Sequence, residues 1–96
     1  MIVDFADKMT EDLFHGRSSA KARKLPADMQ KSALLKLDIL NAACSVMDLK
    51  SPPGNRLESL NGNLEGYYSI RINNQWRLVF KFENSNAYDV RIMDYH

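Results

Sequence analysis

Ninety-six residues, 45% hydrophobic and 26% charged, suit one domain (1–96) built on a single hydrophobic core and are too few for two. Thirteen basic against twelve acidic side chains give a net charge of +1, and no apolar run approaches the roughly 20 residues of a membrane span. The opening Met1-Ile2-Val3-Asp4-Phe5 lacks the basic and apolar regions of a signal peptide, so the expected location is the cytoplasm. Cys44 is the only cysteine, which excludes an internal disulfide and a cysteine-based metal cluster.

Alternation around Ile2, Val3 and Phe5 fits a short strand, and Asp7 or Thr10 can cap a brief helix ending near His15-Gly16. His15 there is expected to meet the last carbonyls and to carry no other role. Ser18-Ser19 offers an N-cap for a second short helix, Ala20 to Lys24, and Pro26 suits the first turn of a longer one. In that longer helix Met29, Ala33, Leu37, Leu40 and Cys44 recur at helical spacing, joined by Leu34 and by Val46 or Met47. Cys44 is therefore expected to be a buried, inert thiol on a helix. Charge is unevenly placed: residues 17 to 36 hold Arg17, Lys21, Arg23, Lys24, Lys31 and Lys36 against Asp28 alone. Such a stripe suits either a polyanionic partner or a solvated helix face. Ser51-Pro52-Pro53-Gly54 is expected to end everything helical.

From Arg56 the period changes to two, and three alternating runs separated by Asn-rich turns predict a meander of antiparallel strands. The fold class is α+β, with the helices on one sheet face. A three-residue loop at Asn73-Asn74-Gln75, one Asn left-handed, sets Ile72 against Trp76, Ile70 against Leu78 and Tyr68 against Phe80. A two-residue loop would mix the faces. A five-residue loop from Glu83 to Ala87 likewise pairs Phe82 with Tyr88, Phe80 with Val90 and Leu78 with Ile92. The opposite face then carries Tyr67, Ser69, Arg71, Arg77, Val79, Lys81, Asp89, Arg91, Met93 and Tyr95. Arg71 sits across from Arg77, a destabilising like-charge pair that invites a functional explanation. A solvated face needs charges of some kind, but only Asp89 offsets four cations, which favours an open face for RNA phosphates with tyrosines to stack on bases.

The last strand delivers Asp94, Tyr95 and His96 to one end of this face, near Trp76 and Arg77. An imidazole there can abstract a ribose 2′-hydroxyl proton or protonate the departing 5′-oxygen while arginine neutralises the phosphate. No metal or other cofactor is expected: the two histidines, His15 and His96, are far apart and no His/Asp/Glu cluster has ligand spacing. One histidine near arginines does not specify this chemistry by itself.

The run "SPPGNRLESLNGNLEGYYSIRINNQWRLVFKFENSNAYDVRIMDYH" resembles the HigB toxins, the plasmid-maintenance killer-protein branch of the RelE/ParE superfamily. The distinctive marks are P-P-G-N-R-L-E at 52–58, E-G-Y-Y-S-I-R-I at 65–72, Q-W-R at 75–77 and the closing D-Y-H. The resemblance implies a compact RelE-like fold and metal-independent cleavage of mRNA on the translating ribosome, leaving a 2′,3′-cyclic phosphate and a 5′-hydroxyl. It also implies inhibition by a HigA-type antitoxin with a helix-turn-helix domain. Carried onto this chain, it puts Asp94, Tyr95, His96 and Arg77 in the catalytic site; Arg56, Arg71, Arg91, Lys81 and Tyr67 are the candidates for binding RNA. The basic residues between 21 and 36 are candidates equally for ribosomal RNA and for the antitoxin. Many relatives read L-K-G-D where this chain reads Leu60-Asn61-Gly62-Asn63, so a phosphate-holding lysine is missing and ordinary turn chemistry accounts for Asn61-Gly62. Two other readings stay open: a toxin-like protein that binds ribosome or antitoxin without cutting, and, ranked lower because that class typically lacks the His-terminated ending, a gyrase-directed toxin.

Overall fold

A computed structural model describes residues 1–94. Asp7 starts the first helix: its carboxylate accepts the Thr10 N–H at 2.8 Å, satisfying one of the N–H groups a first turn leaves open, and α1 runs Lys8–Phe14. Gly16, left-handed at φ +70°, closes it by donating to the Leu13 carbonyl. Thr10, the other candidate cap, is fully buried and its hydroxyl accepts from Ile92 N–H at 3.1 Å, fastening α1 to the last strand. Ser19 caps α2 (Ala20–Arg23), and Pro26 occupies the N-cap of α3 (Ala27–Ala42).

Met29, Ala33, Leu37 and Leu40 form the buried stripe of α3 as expected. Cys44 does not continue it. The Asp48 carboxylate accepts from both Cys44 N–H (2.9 Å) and Ser45 N–H (3.1 Å), pulling the chain out of the helix after Ala42 and into a 3-10 turn, Val46–Lys50. The thiol is thereby exposed and off the helix. Leu34 and Met47 are exposed too, while Val46 packs against the core. Helical character does not stop at Ser51-Pro52, but only single 3-10 turns follow, at Pro53–Asn55 and Gly62–Leu64.

Four antiparallel strands, β1 (Glu58–Ser59), β2 (Tyr68–Arg71), β3 (Trp76–Glu83) and β4 (Asn86–Asp94), lie in the order β1-β2-β3-β4. The opening segment is no strand. Ile2 and Phe5 make isolated parallel bridges to Ala87 and Val90, which pair part of the outer edge of β4. The first hairpin has the expected register, Tyr68 opposite Phe80, Ile70 opposite Leu78 and Arg71 opposite Arg77. No left-handed Asn holds its loop; Asn73 Oδ1 does, accepting from Gln75 N–H (2.9 Å) and Trp76 N–H (2.8 Å).

The second hairpin departs from expectation. Its loop is two residues, Asn84-Ser85, both left-handed (φ +52° and +66°), a turn whose twist matches that of the strands. Phe82 therefore faces Ala87, and Tyr88 leaves the core to face Lys81. A bulge at Asp89 (φ +54°), whose N–H donates to the Asp4 carboxylate, adds one residue to β4 and restores the expected Leu78–Ile92 pair.

Leu13, Met29, Leu37 and Leu40 from the helices, with Leu25 from the turn between α2 and α3, meet Ile70, Leu78, Phe80, Val90 and Ile92 from one sheet face. Among the described residues, no helix is long and apolar enough to cross a membrane. Leu37, fully buried, and Leu35, 58% exposed, separate the two sides of α3. Leu37→Ala should lower unfolding free energy by about 2–5 kcal/mol and Leu35→Ala by no more than about 0.5 kcal/mol, read from urea denaturation.

Candidate functional site

The face opposite the helices is not the open basic surface that alternation suggests. Ser69 and Val79 are fully buried, and Arg77 is only 7% exposed. A guanidinium cannot shed its charge, so its burial demands acceptors. Arg77 Nε donates to Ser69 Oγ at 2.9 Å, and one terminal nitrogen donates to the Arg56 carbonyl at 2.6 Å and the Ser69 carbonyl at 3.4 Å. Glu58, set opposite Ser69 by the β1–β2 register, lies 3.8 Å from the same nitrogen.

Arg71, directly across from Arg77, turns the other way. Its Nε donates to the Asn73 carbonyl at 3.2 Å and its terminal nitrogen to Asn74 Oδ1, both in the β2–β3 loop. Arg56 ends the Pro53–Asn55 turn in the left-handed conformation (φ +46°) with its side chain exposed. Arg56, Glu58, Arg71, Asn74 and Arg77 thus ring one polar concavity of about 290 Å³. Among the described residues, three guanidiniums face one carboxylate there, a setting for an anion. Among the described residues, no three His, Cys, Asp or Glu side chains come together as a metal site.

The remaining predicted residues gather elsewhere on the sheet. Tyr67 reaches across β3, donating its hydroxyl to the Asp89 carboxylate on β4, with Lys81 Nζ 4.9 Å and the Arg91 guanidinium carbon 5.5 Å from its ring centroid. Arg91 is ion-paired to Asp89 at 2.8 Å. Asp94 closes β4 opposite Trp76, exposed, and accepts from Gln75 Nε2 at 3.2 Å. Tyr95 and His96 lie outside the described residues.

This geometry can be set beside known proteins. A family model described as "RelE-like toxin of type II toxin-antitoxin system HigB" matches residues 3–96. The chain belongs to the HigB family of RelE-like toxins. It is 42% identical over 87 residues to Toxin HigB-1 of Vibrio cholerae, covering 91% of this chain and 90% of that one. A 41-residue stretch, 43% of this chain and 45% of the relative, is 44% identical to Endoribonuclease HigB of Proteus vulgaris. Two solved structures share the fold. The YoeB-YefM toxin-antitoxin complex of Staphylococcus aureus matches with TM-score 0.63 at 24% identity, over 100% of this chain and 95% of that one. YafQ from E. coli matches with TM-score 0.58 at 19% identity, over 98% and 91%. The α+β, RelE-like architecture read from the sequence is therefore the observed one.

Within this HigB-family chain, Glu58 has no part in the site expected from sequence, and Lys36 is expected only as one of the basic residues between 21 and 36. Glu58 belongs to a two-residue strand with no periodic signal, although it closes the P-P-G-N-R-L-E motif. Lys36 does not join the surface stripe of α3: it is half-buried and its ammonium donates to Asn55 Oδ1. Burial, then the nearby Arg71 charge, lowers its pKa. Of the other basic residues, Arg17 pairs with Asp12 at 3.6 Å and Arg23 bonds Ser18 Oγ at 3.1 Å. Asn61 is exposed in its turn and does not line the concavity.

The Tyr67–Asp89 bond sets a pH signature. Hydrogen bonding from Tyr67, aided by Arg91 and Lys81 against the opposing effect of burial, holds the Asp89 carboxyl below its ordinary pKa, and the same bond raises that of Tyr67. A depressed carboxyl contributes stability that is present above its unfolded pKa of about 3.9 and disappears as pH falls through the lower folded value. Tyr67→Phe should move the Asp89 carboxyl ¹³C titration midpoint upward and flatten that acid limb; an unmoved midpoint would show that the bond does not hold the proton off.

Proposed function

We propose that this HigB-family toxin cleaves mRNA on the translating ribosome in the cytoplasm, and that the scissile phosphate sits against the Arg56–Arg71–Arg77 concavity. The observation that carries the reading is that concavity: three guanidiniums around one pocket, one of them held by a buried hydrogen-bond set, in a chain of a toxin family with a relative named as an endoribonuclease. The ribose 2′-oxygen attacks phosphorus, the bond to the 5′-oxygen breaks, and the products carry a 2′,3′-cyclic phosphate and a 5′-hydroxyl. The nucleophile is internal, so no protein-bound intermediate is required. Arg77, with Arg71 or Arg56, neutralises charge gathering on the phosphoryl oxygens. Glu58, half-exposed and 3.8 Å from Arg77, holds that guanidinium until a phosphate competes for it.

In this scheme His96 takes or gives the proton at one of the two reacting oxygens, Tyr95 shares proton transfer or stacks on a base, and Asp94 orients one of them. Lys81, Arg91 and Tyr67 receive the neighbouring stretch of RNA, where cations can bind phosphates and an aromatic ring can take a base. The inhibitory partner is a HigA-type helix-turn-helix antitoxin. Family membership and the toxin-antitoxin complex among the fold neighbours support an antitoxin partner, and the resemblance to HigB toxins carries its HigA type. Primer extension on mRNA from a purified translation system tests the scheme. Wild type should cut within A-site codons, His96→Ala should lose about 10²–10⁴-fold and Arg77→Ala about 10²–10³-fold in rate. Asn61→Lys, restoring a cation to the turn, should increase cutting. No cuts from wild type would leave a protein that binds ribosome or antitoxin without cleaving.

A further inference from the structure

Lys36 is the one residue of α3 bonded to the loop that carries Arg56. Its ammonium donates to Oδ1 of Asn55, which is fully buried, and Asn55 Nδ2 donates to the Leu49 carbonyl at 3.1 Å and the Ser51 carbonyl at 3.3 Å. The Asn55 side chain is thus committed at both its oxygen and its nitrogen, and its backbone N–H closes the turn on the Pro52 carbonyl at 2.9 Å. The next residue, Arg56, holds a left-handed backbone (φ +46°) that a side chain other than glycine adopts only when its surroundings enforce it. That backbone aims the Arg56 carbonyl at Arg77, 2.6 Å away.

We propose that Lys36 is a positioning residue of the site: its ammonium fixes Asn55, Asn55 fixes the left-handed Arg56, and the Arg56 carbonyl fixes the Arg77 guanidinium. The role rests on the reading that Arg77 holds the scissile phosphate. Lys36 is partly desolvated and repelled by Arg71, an unfavourable place for an ammonium that only anchored a turn. A cation behind Arg71 also adds to the positive potential that a phosphate meets, so a bound anion relieves the repulsion between them.

The test uses the full chain with Lys36→Met, Lys36→Arg and, as a control on the exposed side of α3, Lys31→Met. In free protein, Lys36→Met should shift and broaden the Arg77 Nε–H resonance, while Lys31→Met leaves it in place. In cleavage assays, Lys36→Met should lower kcat about tenfold with KM within about twofold, the size expected when one charge-assisted hydrogen bond behind the site is lost. Lys36→Arg, which keeps a charged donor, should recover most of it, and in an Arg77→Ala background Lys36→Met should add nothing. If Lys36→Met does not fold, Lys36→Gln, polar but a bond shorter, carries the same expectation at smaller amplitude. An unmoved Arg77 resonance in a folded variant, or an undiminished loss in the Arg77→Ala background, would overturn the proposal. A wild type that cuts no RNA would sink the cleavage reading instead, while the resonance still decides the role of Lys36.

Discussion

A guanidinium buried in a sheet must find acceptors for its donors, and that requirement at Arg77 organises everything on the far side of this fold. Ser69 supplies a hydroxyl and a carbonyl from the adjacent strand. The Arg56 carbonyl supplies a third acceptor, which fixes the loop between α3 and β1 in an otherwise unfavourable left-handed turn. Glu58 arrives because β1, only two residues long, pairs it with Ser69. A strand so short makes little ladder of its own, and its placement beside β2 gives Arg77 the one carboxylate that lines the concavity among the described residues. Three separate pieces of chain are thereby tied to one charge.

The like-charge pair across β2 and β3 is tolerated because the two arginines are aimed apart. Arg71 bends toward the Asn73-Asn74 loop and Arg77 toward Ser69 and Arg56. Among the described residues most of these acceptors are neutral, so these bonds satisfy the donors without cancelling the charge. Pairs of like charge cost roughly 0.2–1 kcal/mol on a sheet face, and here Arg56 and Lys36 crowd further cations nearby. The hydrophobic core on the other face of the same strands offsets that cost, which is how a chain of net charge +1 sustains a strongly positive hollow.

How far this was legible in the residues varies with the physical cause. The β2–β3 register was readable because strict alternation meets an Asn-rich loop whose side chain, rather than an unusual backbone, ties the turn. The β3–β4 hairpin was only half readable. A two-residue turn plus one bulge residue gives the same Leu78–Ile92 pairing as a five-residue loop, so alternation near the middle of the strands cannot tell them apart. What distinguishes them is Asp4, which accepts from the Asp89 N–H across 85 residues of sequence. Cys44 failed for a similar reason: spacing continues the stripe, but Asp48, four residues on, caps a new turn and ends the old helix. The burial of Arg77 and the pairing of Glu58 are tertiary facts with no periodic trace. Lys36 left a faint one. It stands three residues after Ala33 and four before Leu40, on the flank of the buried stripe rather than opposite it, a position where a lysine must reach for a partner.

The two ends of Arg56 serve different purposes, and this separates fold from chemistry more cleanly than any other residue of the hollow. The fold uses its carbonyl and its left-handed backbone; the concavity uses its guanidinium, which is exposed and makes none of the bonds that hold Arg77. Arg77 has no such division, because one group is both a structural donor, to three acceptors among the described residues, and a charge facing the pocket. Removing Arg77 therefore takes a donor from the buried Ser69 hydroxyl and removes a cation in the same step, whereas shortening the Arg56 side chain removes the cation alone. A site in which one arginine is locked by the fold and a second is exposed to an incoming phosphate keeps its geometry before binding and still presents a second, accessible charge. Such an arrangement suits a polyanion whose backbone must be gripped at a fixed point along a flexible strand.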